Sequence, residues 1–447
     1  MRKLTIFEEL LREVKIPRMV PVELEIQKGK IKREEISGIL RRGMEEQGLF
    51  ERLEAGKTVA VTCGSREIHN IDEIMRSVVS ILKDAGLSPF IFAAMGSHGG
   101  ASAKGQLEIL EGYRVTEKAM GVPVTATMDT VVIGKTELGL EVHMEKNADG
   151  ADYIIPVGRI KPHTDFRGRI ESGLMKMLAI GCGKQHGADL CHMYGFSRMS
   201  ENVTQIARVI LEKKRIPFGV GIVEDAFHNT YHLEVIPGEK IEEREAELLE
   251  TAKSLIPAIP FEKIDVLVLD EIGKDISGAG MDPNVTGRSS IMGSFKPFVE
   301  RIAVLGLSEK SHHNGCGIGV ADITTQRFFE DMDFCVSYPN GLTSHDPASM
   351  SIPPVMPNDR CAVAMAIHTC VNQDRNLGYR MVWMKNTLCL NRFLISENLL
   401  QEAEKNPDIR ICGEPEEVLF DEYGNVPGLG KAAKDYGAHS RAAKMNE

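Results

Sequence analysis

The sequence predicts an α/β protein of two domains, each built on a mainly parallel sheet, with the active site in the cleft between them. Three observations predict it. The chain has 447 residues, more than one hydrophobic core usually serves, so two large domains are expected. Short β-branched or apolar runs alternate with stretches of helical spacing, the rhythm of parallel α/β sheets. Several of those runs end in Gly-containing polar loops, and in open α/β sheets the carboxyl edge of the strands is where ligands bind.

Taken in order, residues 57–62 (KTVAVT) read as a buried strand leading into CGSREIHN. The segment 71–85 that follows has Ile71, Ile74, Val78, Val79 and Leu82 at helical spacing. Residues 89–95 (PFIFAAM) form a second strand candidate, followed by GSHGGAS and a helix from Ala103. Residues 152–157 (DYIIPV) form a third, followed by GRIKPHTDFRG and ESGLMKMLAIGCG. Prolines in IPAIPFE at 256–262 interrupt helix and ladder alike, which places the domains at 1–260 and 261–447. Residues 264–269 and 302–305 are the first strands of the second domain, and 273–288 (GKDISGAGMDPNVTGR) is its Gly-rich loop. Residues 431–447 read as a surface helix or frayed tail.

Composition excludes several function classes. A hydrophobic fraction of 43% and a charged fraction of 26% belong to an ordinary globular chain rather than a disordered one. The net charge of −11 is spread along the sequence, so no basic stripe offers itself to nucleic acid. No uninterrupted apolar h-region opens the chain and no 18 apolar residues run together, so neither secretion nor a membrane span is expected, and a cytoplasmic location is. The nine cysteines are scattered without a C-x-x-C pair, which argues against a disulfide framework and a zinc ribbon.

Chemistry concentrates in KPHTDFRGRIESGLMKMLAIGCGKQHGADLCH, residues 161–192, where His163, Lys176, His186 and His192 lie among glycines. These supply candidate bases, an amine and imidazole donors for a transition metal. Arg66 in GSREIH and His98 in GSHGG fall at the same predicted sheet edge. Arg offers a planar fork for a carboxylate, and a His flanked by glycines can approach a small substrate closely. Two further clusters suggest metal sites. His312, His313 and Cys316 lie together in SHHNGCG, a group that structural duty or cleft lining also explains. His228 and His232 in HNTYH would share a helix face, but without the Glu of a zinc H-E-x-x-H motif.

The ordered set Ser65-Arg66, Gly96-Ser97-His98, Pro162-His163, Ser172-Gly173-Leu174-Met175-Lys176 and His192 resembles the nickel-pincer-dependent lactate racemase family. The resemblance covers most of the first 260 residues and is looser beyond. It implies a nickel held in a pincer made from a modified pyridinium mononucleotide, supplied by separate maturation enzymes and tethered through a lysine, here Lys176. The implied nickel ligand is His192, sixteen residues on, with His186 the competing choice. The implied acid/base pair is His98 and His163, with Arg66 gripping the substrate carboxylate and Lys274 contacting substrate from the second domain. A tight turn with a structural Asp282-Pro283 step explains the Lys274 loop equally well. Arg288 would add a second anion contact. The implied reaction is racemisation or epimerisation of a 2-hydroxy acid by hydride transfer, because the α C–H of such an acid is too weakly acidic for simple deprotonation.

The sequence departs from the family where Cys63-Gly64-Ser65 precedes Arg66 and where His163 and Lys176 stand thirteen residues apart, longer by about one helical turn. Both changes fall on substrate-side loops, so they bear on which hydroxy acid is taken. Two rival functions keep the same fold: a metal-dependent lyase or hydrolase using the same histidines without a pincer, and a non-catalytic hydroxy-acid-binding protein.

Overall fold

The computed structural model describes residues 5–25, 29, 31–65, 67–256, 258–294, 296–371 and 378–427. Arg66 and the tail 431–447 lie outside the described residues. Two compact units form: one from 27–256, the other from the first 26 residues together with 257–447. The first strand, β1 (Met19–Leu24), thus joins the unit made by the far end of the chain.

In the unit 27–256, β2 (Thr58–Cys63), β3 (Ser88–Ala93) and β4 (Val124–Thr125) run parallel. β5 (Thr130–Lys135) and β6 (Glu141–Glu145) make a separate antiparallel hairpin. β7 (Tyr153–Ile155) returns to pair parallel with β2, and β8 (Val157–Arg159) pairs parallel with β9 (Phe218–Glu224), which β10 (Thr230–Pro237) flanks antiparallel. Pro156, lacking an N–H, breaks the ladder between β7 and β8. Thr62 bridges the break: its hydroxyl accepts from the Val157 N–H at 2.8 Å and reaches the Val157 carbonyl at 3.3 Å. The strands therefore follow one another in the order β4-β3-β2-β7/β8-β9-β10.

Side chains alternate across this sheet, as the period of two requires. Val59, Val61, Cys63, Ile91 and Ala93 enter one core, which is shared with the helices α1 (Ile36–Glu46) and α2 (Ile71–Asp84). The apolar stripe read in the sequence for 71–85 is the buried face of α2, and its end is marked by Gly86 at φ +79°. Ala60, Phe92 and Ile154 enter the other core, beneath residues 174–255.

In the second unit, β11 (Lys263–Leu269) leads the chain into a short hairpin, β12 (Arg288–Ser289) with β13 (Gly293–Ser294). Then come β14 (Phe298–Val304), β15 (Ile323–Thr325), β16 (Val355–Met356), β17 (Met381–Met384), β18 (Arg392–Ser396) and β19 (Ile409–Ile411). Its eight strands lie in the order β16-β15-β14-β11-β17-β18-β1-β19. The five from β16 to β17 are parallel, and β18, β1 and β19 are joined antiparallel. Both units are α/β with mainly parallel sheets. No helix among the described residues is long and apolar enough to cross a membrane, and all nine cysteines are free thiols.

Candidate functional site

In the unit 27–256, β2 is the first strand of the sheet; the chain builds β3 and β4 to one side of it and β7/β8 and β9 to the other. The loops leaving β2 and β8 therefore diverge at the carboxyl edge and open a crevice, the place where such sheets hold ligands. Ser65 stands at the start of the first loop and His163 in the second.

The loop after β3 carries His98. Gly96, Gly99 and Gly100 adopt φ of +56°, +68° and +63°, conformations that glycine takes without steric cost. Gly96 is also needed for space: a Cβ there would stand 3.0 Å from Ile180 Cγ2. Ser102 caps the next helix, α3 (Ala103–Gly112), accepting from the Gly105 N–H at 3.1 Å. The Ser65 hydroxyl pairs with His98 Nδ1, and Tyr113 fixes Ser65 by donating to its carbonyl at 2.7 Å. The loops bearing Ser65 and His98 thus meet through the imidazole itself.

The loop after β8 carries His163. Its backbone N–H donates to Glu171 Oε2 at 2.8 Å, and Glu171 is fully buried, with Lys253 Nζ 3.1 Å from its other oxygen. The Asp165 N–H donates to His163 Nδ1 at 3.0 Å, so the neutral ring carries its proton on Nε2. Lys176 Nζ lies 2.6 Å from that Nε2. Burial, followed by the charges of Lys176, Lys161, His192 and Arg167, holds His163 well below the ordinary histidine value. Phe166 stacks on the ring at 4.2 Å between centroids.

Lys176 ends a helical turn, α4 (Leu174–Lys176), that continues into a π-helical turn over Met177–Gly181. Such turns are rare and concentrate at functional sites. Gly181 lies against the end of β3, where a Cβ would meet the Ala94 carbonyl at 2.8 Å. Beyond it, α5 (Lys184–His192) ends in His192. His192 Nδ1 bonds to the Ala188 carbonyl at 2.7 Å, which puts the proton on Nδ1 and the lone pair on Nε2, the state in which imidazole ligates a metal. His186 is placed differently. It stacks on His143 at 4.9 Å, and Thr130 Oγ1 stands 3.0 Å from His143 Nδ1 and 3.3 Å from His186 Nδ1.

The structure therefore sets Lys176 against His163 and brings His192 within electrostatic reach of His163, with His98 on the loop after β3. Among the described residues no three His, Cys, Asp or Glu side chains converge to hold a metal.

Two buried charged residues escaped the sequence reading. Lys184 is fully buried at the start of α5, where burial pushes its ammonium down to about 8 against the opposing pull of Glu145. Glu245 lies on the helix α6 (Ile241–Leu255), on the same stripe as Ile241, Leu248, Leu249 and Ala252. An acid on an otherwise apolar stripe at helical spacing was the available signal. Its Oε2 accepts from the Met175 N–H at 2.8 Å, at the start of the turn that bears Lys176. Gly173 is obligatory beneath it, since a Cβ would meet Glu245 Oε1 at 2.4 Å.

Burial raises the Glu245 carboxyl to about 7, partly offset by the Met175 and Leu174 N–H groups. A carboxyl raised above its unfolded value favours folding fully below that value and loses the contribution as pH rises through 7. Stability should therefore fall between pH 5 and pH 8 by up to about 3 kcal/mol from this group. In Glu245→Gln that share of the fall should vanish. Denaturation midpoints measured across the range check this, and identical pH profiles for the two proteins would show that Glu245 does not titrate there.

In the second unit, Lys274 Nζ donates to the Gly278 carbonyl at 2.5 Å, within its own loop. Asp282 caps the helix Pro283–Thr286, accepting from the Asn284 N–H at 2.9 Å, so the Asp282-Pro283 step has a structural role. Arg288 is committed to Asp322 at 2.6 Å and to the carbonyls of Val299, Val320 and Glu300, which leaves one of its five N–H donors for the expected anion contact. His313 Nδ1 pairs with Asp331 at 2.9 Å while Cys316 is buried beside Ser349, so the SHHNGCG group is divided between two structural duties. In the first unit, His228 lies in a turn at φ +61° and His232 in β10, so the two share no helix face.

Residues 9–200 match the family model described as the lactate racemase N-terminal domain. The chain is also similar to the solved lactate racemase apoprotein from Thermoanaerobacterium thermosaccharolyticum. That likeness has 13% identity and a TM-score of 0.48, and it covers 82% of this chain and 99% of that one. No curated protein matches the chain.

Proposed function

We propose that this lactate racemase homologue, so identified by its residues 9–200, interconverts the stereoisomers of a 2-hydroxy acid using a nickel-pincer nucleotide. The observation that carries the reading is the Lys176 amine 2.6 Å from His163 Nε2, at the switch point of the sheet. Lys176 would tether the nucleotide, and His192 Nε2 would ligate its nickel. When bound, the group supplies the hydride acceptor and donor that the side chains of this chain lack.

The chain's own residues handle protons and orientation. His98, whose Nδ1 pairs with the Ser65 hydroxyl, would exchange a proton with the substrate hydroxyl. His163, held neutral by burial, is a base at neutral pH. One histidine takes the hydroxyl proton as the centre becomes planar, and the other returns a proton when the opposite face is reduced. Arg66 would grip the carboxylate. The polar Ser65 beside Arg66 and the longer loop between His163 and Lys176 point to a hydroxy acid other than lactate.

The test is intact-protein mass with nickel analysis on chain co-produced with the maturation enzymes. An adduct mapping to Lys176, with about one nickel per chain as a single pincer requires, is the expected result. An unmodified chain, when a control racemase matures in the same host, would overturn the reading.

A further inference from the structure

We infer that Lys184 and Gln106 are positioning residues for His98, acting through the backbone of its loop; the catalytic meaning of this rests on the racemase reading above. An ammonium without solvent contact costs several kcal/mol unless its donors are satisfied, so its partners show what the burial achieves. Lys184 Nζ donates to the carbonyl of Ala93, the last residue of β3, at 2.7 Å, and to Gln106 Oε1 at 2.5 Å. Gln106 is fully buried as well. Its Nε2 donates to the carbonyls of Gly96 at 3.0 Å and His98 at 3.1 Å. Three carbonyls of the segment 93–98 are thereby held by one buried pair.

The pair has a direction. An ammonium can only donate, so Lys184 must face the amide oxygen of Gln106, and the amide nitrogen must then face the loop. Rotated the other way, the amide would set its oxygen against two carbonyls and its N–H₂ against an ammonium. Lys184 therefore fixes the orientation of Gln106, and Gln106 fixes the loop. That loop passes through four residues at positive φ, Gly96, Gly99, Gly100 and Ala101, and forms no ladder that would hold its carbonyls. Lys184 also opens α5, whose last residue is His192, so the same ammonium ties the segment bearing His98 to the helix bearing the proposed nickel ligand.

The experiment compares wild type with Gln106→Glu and Lys184→Met. Gln106→Glu keeps the acceptor for Lys184 and removes the donors to the loop. Imidazole resonances are recorded on the unloaded chain, with His98 assigned by its loss in a His98→Gln spectrum. kcat and KM are then measured after maturation. Both variants should shift or broaden the His98 signals, and kcat should fall by roughly 10- to 100-fold with KM changed less than about 3-fold, as expected when a catalytic group is misplaced while substrate binding survives. Reduced stability with His98 signals unchanged, or a loss confined to KM, would overturn the inference. If Lys184→Met does not fold, Gln106→Glu decides alone. If matured wild type racemises no hydroxy acid, the racemase reading fails, while the resonances of the unloaded chain still decide whether the pair positions His98.

Discussion

Lys176→Ala, produced with the maturation enzymes, is expected to carry no nucleotide adduct, to retain only background nickel, and to lose turnover by about 10⁴-fold or more, because the cofactor carries the chemistry that the side chains cannot. The fold should survive. Lys176 is half-buried, and the turn that bears it is held from beneath by Glu245 at the Met175 N–H rather than by the amine. Lys176→Arg separates the amine's two properties. It keeps a positive charge beside His163 but presents a guanidinium that stays protonated at every working pH and is no nucleophile. If charge alone mattered, Arg would restore function. The tether reading expects the Arg variant to be as inactive as the Ala variant, with both retaining the wild-type denaturation midpoint to within a few degrees. Full activity in either variant would sink the tether assignment, and an adduct mapping to another lysine would move it.

How much of this was legible in the sequence depended on the range of each interaction. Strand β2 and helix α2 could be read because their signals are local: the buried β-branched run in KTVAVT and the stripe from Ile71 to Leu82. The Gly-rich loops could be read for the same reason, since glycine marks positive φ wherever the chain turns sharply. Strand β1 could not. Its pairing partners, Arg392–Ser396 and Ile409–Ile411, lie nearly four hundred residues away, and nothing in MVPVEL says which sheet it joins. The site divided along the same line. His98, His163, Lys176 and His192 stood out because their neighbours in sequence were glycines and prolines. Lys184 sat in the same stretch and was passed over, because a lysine is exposed by default and its partners, Ala93 and Gln106, come from another segment. Glu245 was hidden among the acids of EEREAELLE, where only its place on the apolar stripe sets it apart. Arg288 erred in the opposite sense: an arginine in a Gly-rich loop resembles an anion site until Asp322 and three carbonyls are found to occupy all but one of its donors.

His98→Ala and His163→Ala should each slow racemisation in both directions by roughly 10²- to 10⁴-fold, the range for removing a positioned acid or base. The two directions must suffer together: the histidine that accepts the hydroxyl proton of one stereoisomer delivers it in the reverse reaction. The geometry also predicts a difference between the variants. His98 is tied to Ser65 and to the loop after β3, so His98→Ala should mature with a full complement of adduct. His163 Nε2 touches Lys176 Nζ, so His163→Ala removes a contact that positions the amine and should mature less completely. Rates must therefore be expressed per adduct. After that correction both variants should remain impaired, whereas a His163 that served only to prepare Lys176 would recover wild-type turnover per loaded chain. A substrate deuterated at the α carbon adds the last discrimination. Hydride transfer retains the label in the product with a primary isotope effect, while proton abstraction by either imidazole would wash it into solvent. Loss of the label with both histidines intact would return these residues to a simpler two-base chemistry and remove the need for the nucleotide.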